Sequence, residues 1–252
     1  FANLKEEGCL KSEEIETVIW CWLSQLHRAE RKLAEDVIRL LHSPTATDIP
    51  ANELEISIEN AGLESDADQK AAIEMALEDF CHSHTLKAIS LRYFNPIGAD
   101  PKMRSGMDLT NSSHILGNLI SAKYMTNEPF VITGTQWPTR DGTGIRDYIH
   151  VWDLAMAHVQ ALERFDDIVS ASQPYIPINL GTGYGTTVLE MVKAFESVIG
   201  DKLDKIIASP RPGDVAGAFA NKNRAEKLLK WHPKMSIEQA ILDSIKWYQQ
   251  NS

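Results

Sequence analysis

The pattern of apolar and polar positions divides the chain into a helical front and a longer stretch in which strands and helices alternate. Ser12 followed by Glu13 and Glu14 makes a helix start, a capping hydroxyl with acids in the first turn. Ile15, Val18, Ile19, Trp22, Leu23, Leu26, Leu33, Val37, Leu40 and Leu41 then keep one helical stripe, and Ser43-Pro44 ends it. The opposite face carries Arg28, Arg31, Lys32 and Glu35. Such a stripe must be buried. Packing on the rest of the chain is the simpler reading, and self-association through this helix is the alternative; the heptads are too few for a coiled coil. Residues 45–68 are a polar connector with one apolar alternation, Leu54 to Ile58, that reads as a short strand.

From Gln69 the rhythm changes. Ile73, Ala76, Leu77 and Phe80 predict a helix to His82. Leu86 to Phe94 is nearly continuous in apolar and β-prone residues, as a buried parallel strand is, and Asn95-Pro96 and Gly98 are expected to end it. A helix over 115–124, a strand over 129–134 and a strand over 174–180 follow. Gly181-Thr182-Gly183-Tyr184-Gly185 then opens a helix with Val188, Leu189, Val192 and Phe195 inward. This strand, glycine turn and helix are not a dinucleotide fingerprint, because the glycines are spaced Gly-x-Gly-x-Gly rather than Gly-x-Gly-x-x-Gly. Two further helices are expected near Asn223–Leu229 and Ile237–Gln249.

Composition adds limits. The 252 residues are 43% hydrophobic and 24% charged, an ordinary globular balance, and the net charge of -10 argues against nucleic acid or an anionic membrane as partner. No apolar run is long enough to span a bilayer and no leader opens the chain. Three scattered cysteines, Cys9, Cys21 and Cys81, fit a reducing, cytoplasmic setting better than a disulfide framework. Cys81-His82-Ser83-His84 reads as a helix end with incidental histidines rather than a metal site.

The candidate chemistry centres on Trp137 to Leu154, which sets two arginines, two glycines and an Asp-Gly turn in one loop. Asp141-Gly142 bends the chain, Gly144 frees the backbone ahead of Arg146, and Tyr148 to Val151 is a short strand. Asp153 is expected to cap a helix from Leu154 to about Phe165. A planar, permanently charged guanidinium beside a glycine turn suits a phosphate oxyanion. The competing reading is a surface loop whose arginines pair with Asp141 and Asp147.

This segment, Arg140-Asp-Gly-Thr-Gly-Ile-Arg146-Asp-Tyr-Ile-His150-Val-Trp-Asp-Leu154, resembles that of the UDP-glucose 4-epimerase family of extended short-chain dehydrogenases. Leu91-Arg92-Tyr93-Phe94-Asn95-Pro96-Ile97-Gly98-Ala99, Asn179-Leu180-Gly181-Thr182-Gly183 and Pro210-Arg211-Pro212-Gly213-Asp214-Val215 stand in the family's order, so the resemblance covers about residues 69–252. It implies an α/β fold with an incomplete Rossmann-like parallel sheet and a small mixed substrate-binding lobe over residues 67–252, behind an unmatched, mainly helical segment and connector over 1–66. It also implies NAD as cofactor and a UDP-sugar as substrate. In the family a Tyr-x-x-x-Lys pair takes the sugar's 4-hydroxyl proton while hydride passes to NAD, and hydride returns to the other face of the turned 4-keto sugar.

Carried over by motif, Tyr93 would lie at the nicotinamide end of the cofactor and Asn95 would contact the nucleotide-sugar. Phe130, Val131 and Thr133 would border the uracil, Arg146 and Arg211 would clamp the diphosphate, and Asp214 would bond the ribose. Lys70 matches the motif lysine, but Asp66 stands where the family has tyrosine, and no tyrosine precedes Tyr93. A carboxylate, ionised far below neutral pH, is a poor base for an alcohol. The only glycines before Gly98 are Gly8 and Gly62, so no Gly-x-x-Gly-x-x-Gly phosphate loop exists upstream. The expected activity is therefore that of an isomerase of galactose metabolism by family, interconverting UDP-galactose and UDP-glucose, with this chain alone inactive. The alternatives are a non-catalytic UDP-sugar-binding or interaction protein, and a fragmentary gene product.

Overall fold

The computed structural model describes residues 66–107, 114–211 and 214–251. The long helix and connector expected over residues 12–65 lie outside them. The elements run α1 (Asp66–Ser83), β1 (Ala88–Tyr93), β2 (Asn95–Ile97), α2 (Ile115–Tyr124), β3 (Phe130–Thr133), β4 (Ile145–Arg146), β5 (Tyr148–His150) and α3 (Val151–Glu163). After them come α4 (Phe165–Ile168), β6 (Tyr175–Leu180), β7 (Thr186–Thr187), α5 (Val188–Ile199), β8 (Lys205–Ala208), β9 (Gly217–Ala218), a π-helical turn (Ala225–Leu229) and α6 (Ile237–Asn251).

Among the described residues the strands form four small sheets: β1 with β6, β2 with β5, β3 with β8, and a three-stranded sheet in the order β7-β4-β9. The β2–β5, β3–β8 and β4–β9 pairs are parallel, and β4–β7 is antiparallel. This is mixed α/β architecture with mainly parallel pairing. Asn95-Pro96 does not end the strand run as expected. Phe94 is only a break between two strands: β1 pairs with β6, and β2 turns to β5 with Pro96 opposite Ile149. Proline lacks an N–H, so a change of partner is a natural place for it.

The described residues fall into two compact units, residues 66–90 with Arg164–Pro177, and Leu91–Glu163 with the chain from Ile178 onward. In the first unit, Cys81, Leu86, Ala88 and Tyr175 form a small core on which Leu77 and Phe80 pack. The Ala88 N–H donates to the Pro174 carbonyl at 2.8 Å and the Tyr175 hydroxyl donates to Ser90 Oγ at 2.9 Å. The histidines after Cys81 are a helix end: His82 and His84 each bring Nδ1 to the carbonyl four residues back, and His84 stacks on Phe80. Burial pushes the Cys81 thiol up.

The second unit has the larger core. Ile97, Leu116, Leu119, Ile120, Phe130, Ile132, Tyr148, Met191, Val192, Phe195, Ala240, Ile241 and Ile245 meet there from β2, β3, β5 and helices α2, α5 and α6. Val188 and Leu189, expected inward, are half-buried against it. β5 is buried along its whole length. Burial pushes the Tyr148 phenol up to about 12. The His150 ring lies under Gly98, where an added Cβ would be 2.9 Å from Nε2. Its Nδ1 accepts from the Trp152 N–H at 3.0 Å, so Nε2 carries the hydrogen and faces Asp243 Oδ2 at 3.3 Å. Burial pulls the imidazole's pKa down despite that carboxylate, which favours the neutral ring.

Asp153 does not cap α3. The helix starts two residues earlier, at Val151. The Asp153 carboxylate reaches across to the N–H groups of Lys234 and Met235 at 2.9 and 2.8 Å, so it joins two distant parts of the chain. α5 is capped as an isolated helix would be, by a reciprocal pair between Thr187 and Glu190, and ends on Gly200 at φ 69°.

Glu196 anchors the C-terminal end of α5. Burial alone would raise its pKa, but hydrogen bonds from Lys205, Lys202 and the Leu203 N–H outweigh this and hold it at about 2 against an ordinary 4.5. A carboxyl with a depressed folded-state pKa stabilises above its unfolded value and loses that contribution as pH falls through the folded value. Glu196→Gln is therefore expected to cost roughly 2 kcal/mol at neutral pH. The variant should also flatten the loss of stability between pH 4.5 and about 2, as read by urea unfolding across that range. Parallel stability–pH curves for the two proteins would contradict this.

Candidate nucleotide-sugar site

The loop from Trp137 to Arg146 is ordered by its own side chains. Asp141 Oδ1 accepts from the Thr143 N–H at 2.9 Å and hydroxyl at 2.7 Å, and Oδ2 accepts from the Thr187 hydroxyl. Gly142 takes φ 82°, as the Asp-Gly turn requires. Gly144, expected to be needed for backbone freedom, has no such φ, and a Cβ there would stand 3.7 Å from the Arg146 guanidinium without conflict. The loop also closes the start of α5: the Val188 N–H donates to the Gly144 carbonyl at 3.0 Å and the Leu189 N–H to Thr143 Oγ1 at 3.3 Å.

The reading in which the arginines pair with Asp141 and Asp147 does not hold. Arg140 instead pairs with Glu190, donates to the Gly185 carbonyl at 2.5 Å and lies 5.5 Å from the centre of the Tyr184 ring. Asp147 is fully buried and bonds to no arginine; its partners are main-chain N–H groups and a hydroxyl. Oδ1 accepts from the Thr182 N–H at 2.9 Å and its hydroxyl at 2.6 Å, and Oδ2 from the N–H groups of Gly183 and Ala220, both at 3.0 Å. The turn from Gly181 to Gly183 is thus an anion nest filled by the chain's own carboxylate. An added Cβ at Gly181 would stand 2.5 Å from Asp147 Oδ2.

Arg146 is held by one nitrogen. Its Nη1 donates to the Ile145 carbonyl at 2.8 Å and reaches the Val215 and Ala216 carbonyls at 3.5 Å. These contacts engage one of the three guanidinium nitrogens, and a guanidinium can offer its remaining N–H groups to an oxyanion. β4 and β9 run side by side, Ile145 opposite Gly217 and Arg146 opposite Ala218, and the Ile145 N–H donates to the Ala216 carbonyl at 2.8 Å. Ahead of β9, Arg211 and Asp214 are joined to each other: the Arg211 N–H donates to Asp214 Oδ2 at 3.1 Å, the Asp214 N–H donates back to the Arg211 carbonyl at 3.0 Å, and the two side chains pair at 3.8 Å. Arg146, Arg211 and Asp214 therefore belong to one short strand pair and the residue pair ahead of it.

The other expected residues are placed as follows. Asn95 is half-buried opposite Tyr148 in β2, and its N–H donates to the Asp147 carbonyl at 3.0 Å. Tyr93 is half-buried at the end of β1, with its ring 6.4 Å from that of His158. Along β3 the side chains alternate, so Phe130 enters the core while Val131 is exposed and Thr133 half-buried. Asp66 and Lys70 stand one turn apart at the start of α1, which belongs to the other unit. Among the described residues no group of three or more histidine, cysteine or acidic side chains is arranged to hold a metal ion, and no helix is long and apolar enough to cross a membrane. Sequence reasoning gave Asp147 the wrong partner and Gly217 no role, and missed the strands β2, β4, β7, β8 and β9.

A family model described as the NAD dependent epimerase/dehydratase family matches residues 64–181. A UDP-glucose 4-epimerase of Erwinia amylovora is 34% identical over 257 aligned residues that take in all of this chain and 75% of its own length. The chain belongs to the UDP-glucose 4-epimerase family. UDP-glucose 4-epimerase 2 of Arabidopsis thaliana is 42% identical over 166 residues, 66% of this chain and 47% of that protein. The chain spans about half the length of most of the curated relatives it matches. A crystal structure of the Stenotrophomonas maltophila UDP-glucose 4-epimerase, with bound NAD and formylated UDP-arabinopyranose, superimposes with a TM-score of 0.66 at 35% identity, covering 73% of this chain and 54% of that one. The Bifidobacterium longum enzyme in complex with NAD+ and UDP gives the same TM-score and coverage at 33% identity.

Gly217 is the tightest point of the arginine-bearing strand pair. It takes φ 121°, and an added Cβ would stand 1.7 Å from the Ile145 carbonyl oxygen and 2.5 Å from Arg146 Nη1. Gly217→Ala is expected to destabilise the chain by about 3 kcal/mol or more through strain and separation of β4 from β9. Urea unfolding reads this, and an unchanged midpoint would show that the two strands are not so closely apposed.

Proposed function

We propose that this chain carries the UDP-sugar-binding part of a UDP-glucose 4-epimerase and grips the diphosphate with Arg146 and Arg211. The observation that supports this most is the joining of Arg146 to the Arg211–Asp214 pair through β4 and β9, with the Arg146 guanidinium held at Nη1. Two arginines near one diphosphate can each offer a bidentate edge to an oxyanion. Asp214 would take the uridine ribose, Val131 and Thr133 with the main chain at Phe130 would border the uracil, and Asn95 would contact the sugar side. Tyr93 would lie toward the nicotinamide, and Lys70 would be the lysine of the proton-transfer pair.

The cofactor that the solved relatives hold does not find its site among these residues. Its phosphates call for a glycine-rich turn at a helix start. Only Gly8 and Gly62 precede Gly98, and the one glycine-rich strand–turn–helix among the described residues is filled by Asp147 and closed by Thr143 and Gly144. The tyrosine of the proton-transfer pair is also absent, with Asp66 at its position. We therefore derive no hydride step for this chain and expect it, as it stands, to be inactive as an isomerase. The family's activity, interconversion of UDP-galactose and UDP-glucose in galactose metabolism, would belong to a form in which the missing parts are supplied.

Calorimetry with UDP tests the binding claim. The chain is expected to bind UDP, and Arg146→Ala and Arg211→Ala are each expected to weaken binding by roughly tenfold or more, the worth of a charge-assisted pair. Absence of binding, or alanine variants that bind as well as the parent, would remove the reading. Incubation with NAD and UDP-galactose tests the second claim: no UDP-glucose is expected, and sustained turnover would show a cofactor site elsewhere in the chain.

A further inference from the structure

We propose that Asp147 is a positioning residue for diphosphate recognition, setting the arm that carries Arg211 and Asp214 against the strand that carries Arg146. The proposal rests on the UDP-sugar reading of those residues. It starts from one buried carboxylate that takes four donors from two separate stretches of chain. Three donors come from Thr182 and Gly183 and immobilise the turn after β6. The fourth, the Ala220 N–H at 3.0 Å, comes from just beyond β9. The stretch from Asp214, which is paired with Arg211, to Ala220 is then pinned at three places. Asp147 holds its far end, the Ile145 N–H holds Ala216 in the middle, and Arg146 Nη1 reaches the carbonyls of Val215 and Ala216.

The pinning has a reason in electrostatics. A carboxylate with no exposed surface needs donors on both oxygens, and N–H groups held by main chain cannot drift without leaving it unpaired. Beyond these pins, the Phe219 ring lies over Gly185 and Ala220 is buried beside Gly181, while the rest of the arm is lightly held. Val215 and Phe219 are exposed, and the β4–β9 ladder is two residues long. Asp147 is adjacent to Arg146 in sequence, so the residue that binds the arm and the arginine that the arm must face move as one. Asparagine has nearly the same shape but only one acceptor oxygen. Turned one way, its amide meets the Gly183 and Ala220 N–H groups; turned the other, it meets the Thr182 N–H. Either way a buried donor loses its partner and the surviving bonds lose their charge.

The test is UDP calorimetry on the full chain with Asp147→Asn, carried out well below the variant's melting temperature so that only folded protein is read. A merely structural role would lower the melting temperature and leave the affinity of the folded protein unchanged. Loss of affinity by about fivefold or more, with Arg146 and Arg211 untouched, is expected from weakened charge-assisted bonds; a smaller change overturns the proposal. If Asp147→Asn does not fold, Thr182→Val decides. It removes only the hydroxyl donor, and a loss of about twofold or more supports the assignment, whereas less overturns it. A parent chain that fails to bind UDP, or binds it without Arg146, defeats the underlying reading and this assignment with it, and is distinguished by the parent and Arg146→Ala titrations.

Discussion

The charge on Asp147 is the constraint around which the arginine-bearing part of the chain is arranged. A carboxylate with no exposed surface must be satisfied by donors, and here four converge on it, none of them a cation among the described residues. The glycine turn after β6 exists in this shape because two of its N–H groups and a hydroxyl must point at that charge, and because any side chain at Gly181 would collide with it. The same oxygen that holds Gly183 holds Ala220, so the end of β6 and the end of the Asp214–Ala220 arm are tied to one point. The neighbouring loop follows the same economy on a smaller scale: Asp141 binds Thr143 and Thr187, and Arg140 binds Glu190, so the loop closes on the start of α5.

Much of this was legible in the residues before the fold was known, and the limits have physical causes. Elements with a full period of pattern were recoverable: the helix over Ile115–Tyr124 has the expected bounds, and β6, α5 and α6 lie within a few residues of them. β7, β4 and β9 are two residues each and cannot display an alternation at all. β8 is a lysine followed by three apolar residues, too short to distinguish from a loop. Asp153 looked like a cap because it precedes an apolar helical run. It is drawn instead to N–H groups some eighty residues away, a choice that local pattern does not encode.

The site was legible as a set of residue types but not as a set of attachments. Arg146 and Arg211 were picked out by motif and stand on one strand pair and the residue pair ahead of it. What could not be read was which neighbour each charge would choose. Asp147, next to an arginine in sequence, looked like its ion partner, whereas it stands at the break between β4 and β5 and the two side chains take different partners. Its carboxylate goes inward to the glycine turn, and the guanidinium goes to the carbonyls of the arm. Gly217 carried the only usable hint, a glycine inside a run of small residues, and its meaning depends on the Ile145 carbonyl that passes beside it.

The most direct check of this account is the amide spectrum of the unliganded chain, followed by hydrogen exchange at neutral pH. Charge-assisted bonds to a buried carboxylate should move the Thr182, Gly183 and Ala220 N–H signals downfield and protect them as strongly as core amides, although all three lie outside helices and strands. Ordinary shifts and rapid exchange at Gly183 and Ala220 would mean that Asp147 does not hold the turn and the arm together, and the arrangement of the two arginines would need another cause.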